Sequence, residues 1–193
     1  LAKYVVGDSW KLAFKRRVNN FEQSGTVTIE LKEIEGDSAW YLATAVAPNS
    51  RQPNVWWERH DTRSRSYVER REFVESAPKQ RGAVSAENKD GDSYIQLPLH
   101  VGKSYKVKTG FMGGLQGYLD YVATVESLEK ISTPGGVFDA YKIVYKGRWY
   151  NPKTGINDVS EQIQWFAPGA RRVIKSELYS WERGTYNDRN SVE

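Results

Sequence analysis

The block Val6-Gly7-Asp8-Ser9-Trp10-Lys11-Leu12 returns as Val101-Gly102-Lys103-Ser104-Tyr105-Lys106-Val107. Four of the seven positions are identical and the offset is constant. Two shorter echoes keep the same order: Thr28-Ile29-Glu30 with Thr124-Val125-Glu126, and Ala39-Trp40-Tyr41-Leu42 with Ala140-Tyr141-Lys142-Ile143. A repeat of this period predicts two similar β-rich units, residues 1–92 and 93–193, packed as one domain or standing as two.

Strand-like alternation supports the reading. Trp10, Leu12 and Phe14 fall on one face, with Lys11, Ala13 and Lys15 on the other. Val27, Ile29 and Leu31 alternate with polar neighbours, and so do Tyr105 and Val107. These residues, with Trp10, Tyr141 and Ile143, are the predicted core. Turn chemistry at Glu35-Gly36-Asp37-Ser38, Ser132-Thr133-Pro134-Gly135-Gly136 and Pro168-Gly169 divides the strands. Residues 75–93 lack periodicity and read as a connector, and the tail from Arg183 reads as frayed. About five strands per unit predict an all-β fold: an antiparallel curved sheet, barrel-like or sandwich, built from two similar halves. The 25 aromatic residues (7 Trp, 12 Tyr, 6 Phe) favour strands and supply buried area.

The second unit carries a recognisable order of motifs: Val101-Gly102-Lys103-Ser104-Tyr105, then Thr133-Pro134-Gly135-Gly136-Val137-Phe138-Asp139-Ala140-Tyr141-Lys142-Ile143, then Trp165-Phe166-Ala167-Pro168-Gly169-Ala170-Arg171-Arg172-Val173-Ile174-Lys175. It resembles the TapB-like and related uncharacterised families of exported bacterial β-rich proteins. Those run V-G-x-x-W, P-x-G-x-F-x-x-x-K-I and aromatic-A-P-G-x-G-x-V-K. Ala170-Arg171-Arg172 departs from the second glycine of the last motif. The resemblance implies an all-β protein of the cell envelope, periplasmic or extracellular and often a lipoprotein. It implies no activity. A chain that begins at Leu1, not Met, fits a processed export product, and a removed N-terminal lipid anchor would associate it with the membrane.

Chemistry is sparse. Zero Cys excludes a disulfide framework and thiolate catalysis. A Ser-His-Asp triad would have to use His60 or His100, and no G-x-S-x-G elbow exists. Glu58 and His60 share a strand face and offer two metal ligands without a third. Glu58, Glu69, Asp158 and Glu161 lie near aromatics, as glycosidase carboxylates do, but nothing fixes a pair at the separation required. No catalytic residue, metal site or cofactor is therefore assigned.

The densest cluster is Trp56-Trp57 followed by Arg59, Arg63, Arg65, Arg70 and Arg71. Arg59, Arg63, Arg65 and Tyr67 share a face if the strand runs unbroken. Interleaved Glu58, Asp61, Glu69 and Glu72 favour cross-strand pairing over phosphate binding, and the net charge is only +4, so nucleic acid is not an expected partner. The expected partner is a lipid or hydrophobic small molecule enclosed by a curved aromatic-rich sheet, with Trp56, Trp57, Arg59, Tyr67 and Trp165 as ligand-binding candidates. The alternatives are a glycan-binding module that uses exposed Trp, and a hydrolase.

Overall fold

The fold was analysed in a computed structural model, which describes residues 3–18, 21–48, 50–63, 67–88, 92–111, 117–152, 155, 157–180 and 186–192. Twelve strands follow one another with no helix among the described residues: β1 (Ser9–Val18), β2 (Phe21–Glu35), β3 (Ser38–Val46), β4 (Asn54–Asp61), β5 (Tyr67–Phe73), β6 (Arg81–Glu87), β7 (Ser104–Phe111), β8 (Gly117–Thr133), β9 (Gly136–Tyr150), β10 (Asn157–Ala167), β11 (Arg172–Ser180) and β12 (Tyr186–Val192). All pairings are antiparallel, in the order β6-β5-β4-β3-β2-β1-β12-β11-β10-β9-β8-β7. Each half is a meander of neighbouring strands, and β12 lies between β1 and β11.

The sheet is not a closed barrel, because no described pairing joins β6 to β7. The outer edge of β7 is taken by the connector instead. Asp92 N donates to Lys108 O at 2.8 Å, and Lys108 N donates to the Asp92 carboxylate at 2.7 Å. At the opposite edge, β5 and β6 slip register twice, between Arg70 and Arg71 and between Arg71 and Phe73. Irregular or covered edges resist further pairing.

Two segments differ from the sequence expectation. β6 lies inside the stretch read as a connector. It has one neighbour and a mixed polar surface, so no alternation announces it. β12 lies in the tail read as frayed. Its backbone pairs with both β1 and β11, from Leu12↔Val192 and Lys175↔Ser191 onward. Two ladders satisfy its backbone groups without an apolar pattern.

The two halves obey the same local rules. Gly7 N donates to Leu31 O and Leu31 N to Asp8 O, both at 2.8 Å, while Gly102 N donates to Val125 O at 2.8 Å and Val125 N to Lys103 O at 2.9 Å. The β2–β3 ladder bulges between Leu31 and Glu33, and the β8–β9 ladder between Val125 and Ser127. The β4–β5 ladder shifts at Arg59/His60 and the β10–β11 ladder at Trp165/Phe166. These registers correct two of the sequence echoes. Thr28-Ile29-Glu30 corresponds to Val122-Ala123-Thr124, and Tyr41 corresponds to Ile143, since Leu31 pairs with Tyr41 and Val125 with Ile143.

Of the predicted core, Ile29, Leu31, Val107 and Ile143 are buried, and Trp10, Val27, Tyr105 and Tyr141 are half-buried. Val144 is buried as well. The second half packs around Tyr121, Val125, Ile143 and Tyr145, and the connector adds Tyr94, Ile95, Leu97 and Leu99. The first half packs around Ile29, Leu31, Tyr41 and Ala43.

Gly7 and Gly102 hold φ at 96° and 86°, and an added Cβ would meet nothing within 4 Å at either. Substitution there costs backbone strain alone. Gly7→Ala and Gly102→Ala are each expected to lower the unfolding free energy by about 1–2 kcal/mol. Gly102→Leu should cost much the same as Gly102→Ala, as measured by urea denaturation. A much larger loss for Leu would mean that side-chain space, not φ, sets the requirement.

Candidate functional site

Adjacent residues on a strand face opposite ways. On β4 this separates Trp57 and Arg59 from Trp56, Glu58 and His60. The Trp57 side is a packed cation–aromatic ladder. Arg59 Nε and Arg71 Nε donate to the same Glu69 oxygen, at 3.1 and 2.9 Å. The Arg81 guanidinium lies 4.1 Å from the Trp40 ring centroid and 5.7 Å from that of Trp57, and is paired with Glu33 and Glu35. Trp40 Nε1 donates to Glu35 at 2.8 Å. Glu69 is buried at 4% exposure. Desolvation would raise its pKa, but hydrogen bonds from Arg71 and Arg59 outweigh it and hold the pKa below the ordinary value. Arg63 is paired with both Asp37 oxygens. Arg65 lies outside the described residues.

The sequence candidates do not converge. Trp56 and Trp57 point to opposite faces. Trp57 is 6% exposed, and Trp56 is half-buried with the Arg70 guanidinium 4.1 Å from its ring. The register shift at Arg59/His60 puts Tyr67 opposite His60, with ring centroids 5.8 Å apart, so Tyr67 does not share Arg59's face. Trp165 is buried, donates Nε1–H to Glu129 at 3.2 Å and carries Lys175 Nζ 4.1 Å from its ring. Glu58 and Glu69 lie on opposite faces, and Glu161 pairs with Lys146 at 3.5 Å, so these carboxylates do not flank one space.

The other face of β4 carries a polar cluster. Glu58 accepts from Trp56 Nε1 on one oxygen at 2.7 Å and contacts His60 Nε2 through the other at 3.3 Å. The His60 ring stands edge-on to Tyr41 at 5.0 Å. Tyr41 continues to Trp10 at 6.2 Å, and Arg172 stacks 5.3 Å from the Trp10 ring. Trp10 Nε1 donates to Ala170 O at 3.1 Å, which ties β1 to the turn before β11. Among the described residues no group of three His, Asp or Glu converges, so the Glu58–His60 pair supplies two ligands of the four a structural zinc site needs.

Next to this cluster opens a cavity of about 710 Å³. β1, β2 and β3 contribute Leu12, Phe14, Val27, Ile29 and Ala45; β4 contributes His60, and β10 and β11 contribute Gln164, Phe166 and Arg172. None of the five sequence candidates lines it. Its origin is a change of side-chain volume between the halves. Val107 pairs with Tyr121 where Leu12 pairs with Val27, and Ala123 pairs with Tyr145 where Ile29 pairs with Ala43. In the second half both rings are buried, and the Tyr105 and Tyr145 hydroxyls donate to Tyr94 O at 2.8 and 2.7 Å. The connector is thereby fastened over that half. In the first half Val27 lines the cavity at the place where the second half has Tyr121.

Burial would raise the Glu58 pKa, but the hydrogen bond and charge of His60, the Trp56 indole and the charge of Arg172 lower it to about 2 from 4.5. A depressed carboxylate stabilises the fold above its unfolded pKa and loses that contribution as pH falls through the folded value. At about 1.4 kcal/mol per unit this is up to about 3 kcal/mol. The stability difference between the parent and Glu58→Gln is therefore expected to shrink as pH falls from about 5 to about 2. Urea titrations across that window test this. A difference constant with pH would mean that the Glu58 charge contributes nothing.

No protein-family model matches the chain, and no curated protein matches it. Two solved structures match over nearly their whole length. One is a protein predicted to be exported, with a YmcC-like fold, from Bacteroides fragilis: TM-score 0.58, 12% identity, covering 97% of this chain and 94% of that one. The other is a predicted lipoprotein from Parabacteroides distasonis: TM-score 0.56, 13% identity, covering 98% and 94%. At that identity the likeness is one of fold, and the fold of this chain is YmcC-like and all-β.

Proposed function

We propose that the chain is a non-enzymatic ligand-binding protein of the bacterial cell envelope, taking an apolar or amphipathic small molecule into the cavity lined by β1–β4 and by β10 and β11. The observation that carries the reading is the cavity itself. It has about 710 Å³, with Leu12, Phe14, Val27 and Ala45 among its apolar walls and His60, Gln164 and Arg172 among its polar ones. Sites for small ligands combine this size with apolar walls and fixed polar groups that orient the ligand. Gln164 Oε1 is buried at its wall with no partner among the described residues. An unmade hydrogen bond of this kind costs about 1–3 kcal/mol, and a ligand or solvent donor relieves it.

The envelope location is supported by the TapB-like motif order in residues 101–175 and by the predicted export of the two structural neighbours. The recurring turn hydrogen bonds and bulges support reading the halves as tandem copies, one filled by its own tyrosines and one left open. The glycan alternative lacks its platform among the described residues, since Trp56 and Trp57 face opposite ways.

Protein purified without detergent is expected to release an apolar compound on solvent extraction, detected by mass spectrometry. Val27→Tyr copies the ring that Tyr121 supplies in the other half, and should release at least about tenfold less while keeping the parent's circular dichroism. Equal release from parent and variant would place the compound elsewhere on the protein and overturn the reading.

A further inference from the structure

We propose that the cavity's amphipathic ligand carries a single carboxylate, held by the guanidinium of Arg172. The proposal rests on the cavity being a ligand site and names the chemistry of the ligand's polar head. Arg172 lines the cavity wall beside Trp10 and is half-buried. Among the described residues no carboxylate forms a direct ion pair with it, whereas its neighbour Arg171 is paired with Asp8 at 2.5 Å. The counter-charge that faces Arg172 is Glu58, and both Glu58 oxygens are engaged, by Trp56 and by His60. Glu58 thus offsets the charge at a distance and leaves the guanidinium's donors without a carboxylate acceptor.

A guanidinium withdrawn from water needs acceptors. Its planar fork matches a carboxylate with two parallel hydrogen bonds. The same Glu58 sets the charge of the ligand. A monoanion balances Arg172, while a second negative charge would meet the Glu58 carboxylate across a site of low dielectric. Leu12, Phe14, Val27 and Ala45 supply the wall for a hydrocarbon chain running away from that end.

The test compares four probes with one chain length and different heads: dodecanoate, dodecanol, dodecylammonium and dodecyl phosphate. Each is titrated calorimetrically at neutral pH below its micelle concentration. Dodecanoate should bind the parent at least about tenfold more tightly than dodecanol, a gap of about 1.4 kcal/mol. Dodecylammonium should bind more weakly than dodecanol. Arg172→Gln should abolish the dodecanoate advantage and leave dodecanol affinity within about twofold, and Arg172→Lys should keep part of the advantage.

Equal binding of dodecanoate and dodecanol to the parent would overturn the carboxylate while leaving an apolar site in place. So would a dodecyl phosphate affinity above that of dodecanoate, or an undiminished advantage in folded Arg172→Gln. Binding of none of the four would overturn the ligand site and this inference together. If Arg172→Gln does not fold, the parent's probe ranking decides alone.

Discussion

Two tyrosine hydroxyls converge on one carbonyl, and the asymmetry of the molecule follows from that contact. Tyr105 and Tyr145 both donate to Tyr94 O, and Tyr94 belongs to the connector between the halves. The contact satisfies two phenols that burial would otherwise penalise, and desolvation raises the Tyr145 pKa well above its usual value, so the hydroxyl stays protonated and remains a donor. With the connector fixed there, Ile95 joins the second core and forms one wall of the neighbouring cavity. The connector thus closes over the second core, while a cavity opens where β1–β4 face β10 and β11.

Charge is arranged in two distinct ways on the two faces of β4. On one face Arg59, Arg71 and Arg81 are matched to Glu69, Glu33 and Glu35, with indole rings beneath them. Such a matched ladder covers aromatic surface and holds long side chains in place, and leaves little field for an external anion. On the other face Glu58 and Arg172 are set apart, each bordered by aromatic rings. Desolvation lowers the Arg172 pKa while Glu58, Tyr41 and Tyr4 resist that shift.

Much of the fold was legible because strand alternation is a strong signal. Trp10 to Phe14 and Val27 to Leu31 announce β1 and β2 directly. β6 and β12 were hidden because an edge strand and a strand held by backbone ladders need no apolar face. The shorter echoes were placed out of register because the hairpin connections differ in length between the halves: Leu12 pairs with Val27 where Val107 pairs with Tyr121, and Leu31 with Tyr41 where Val125 pairs with Ile143, so the offset changes along the chain and alternation alone does not reveal it. The site was less legible. Aromatic and arginine density drew attention to Trp56, Trp57, Arg59 and Tyr67, yet adjacent strand residues diverge and the densest charges are mutually paired. The useful signal was quieter: Val27 where the other half has Tyr121.

The place of β12 has a consequence for how the cavity comes into being. The cavity draws its walls from β1 to β4 on one side and from β10 and β11 on the other, and β12 joins the two sides by pairing Leu12 with Val192 and Lys175 with Ser191. The first of those pairings spans nearly the full sequence, whereas every other ladder links strands adjacent in the chain. Pairings this distant carry the largest loop-closure cost and form after local hairpins. The meanders can fold as local structures, and the cavity is a property of their late union. A chain stalled before β12 docks would have both meanders formed and the two walls of the cavity unjoined.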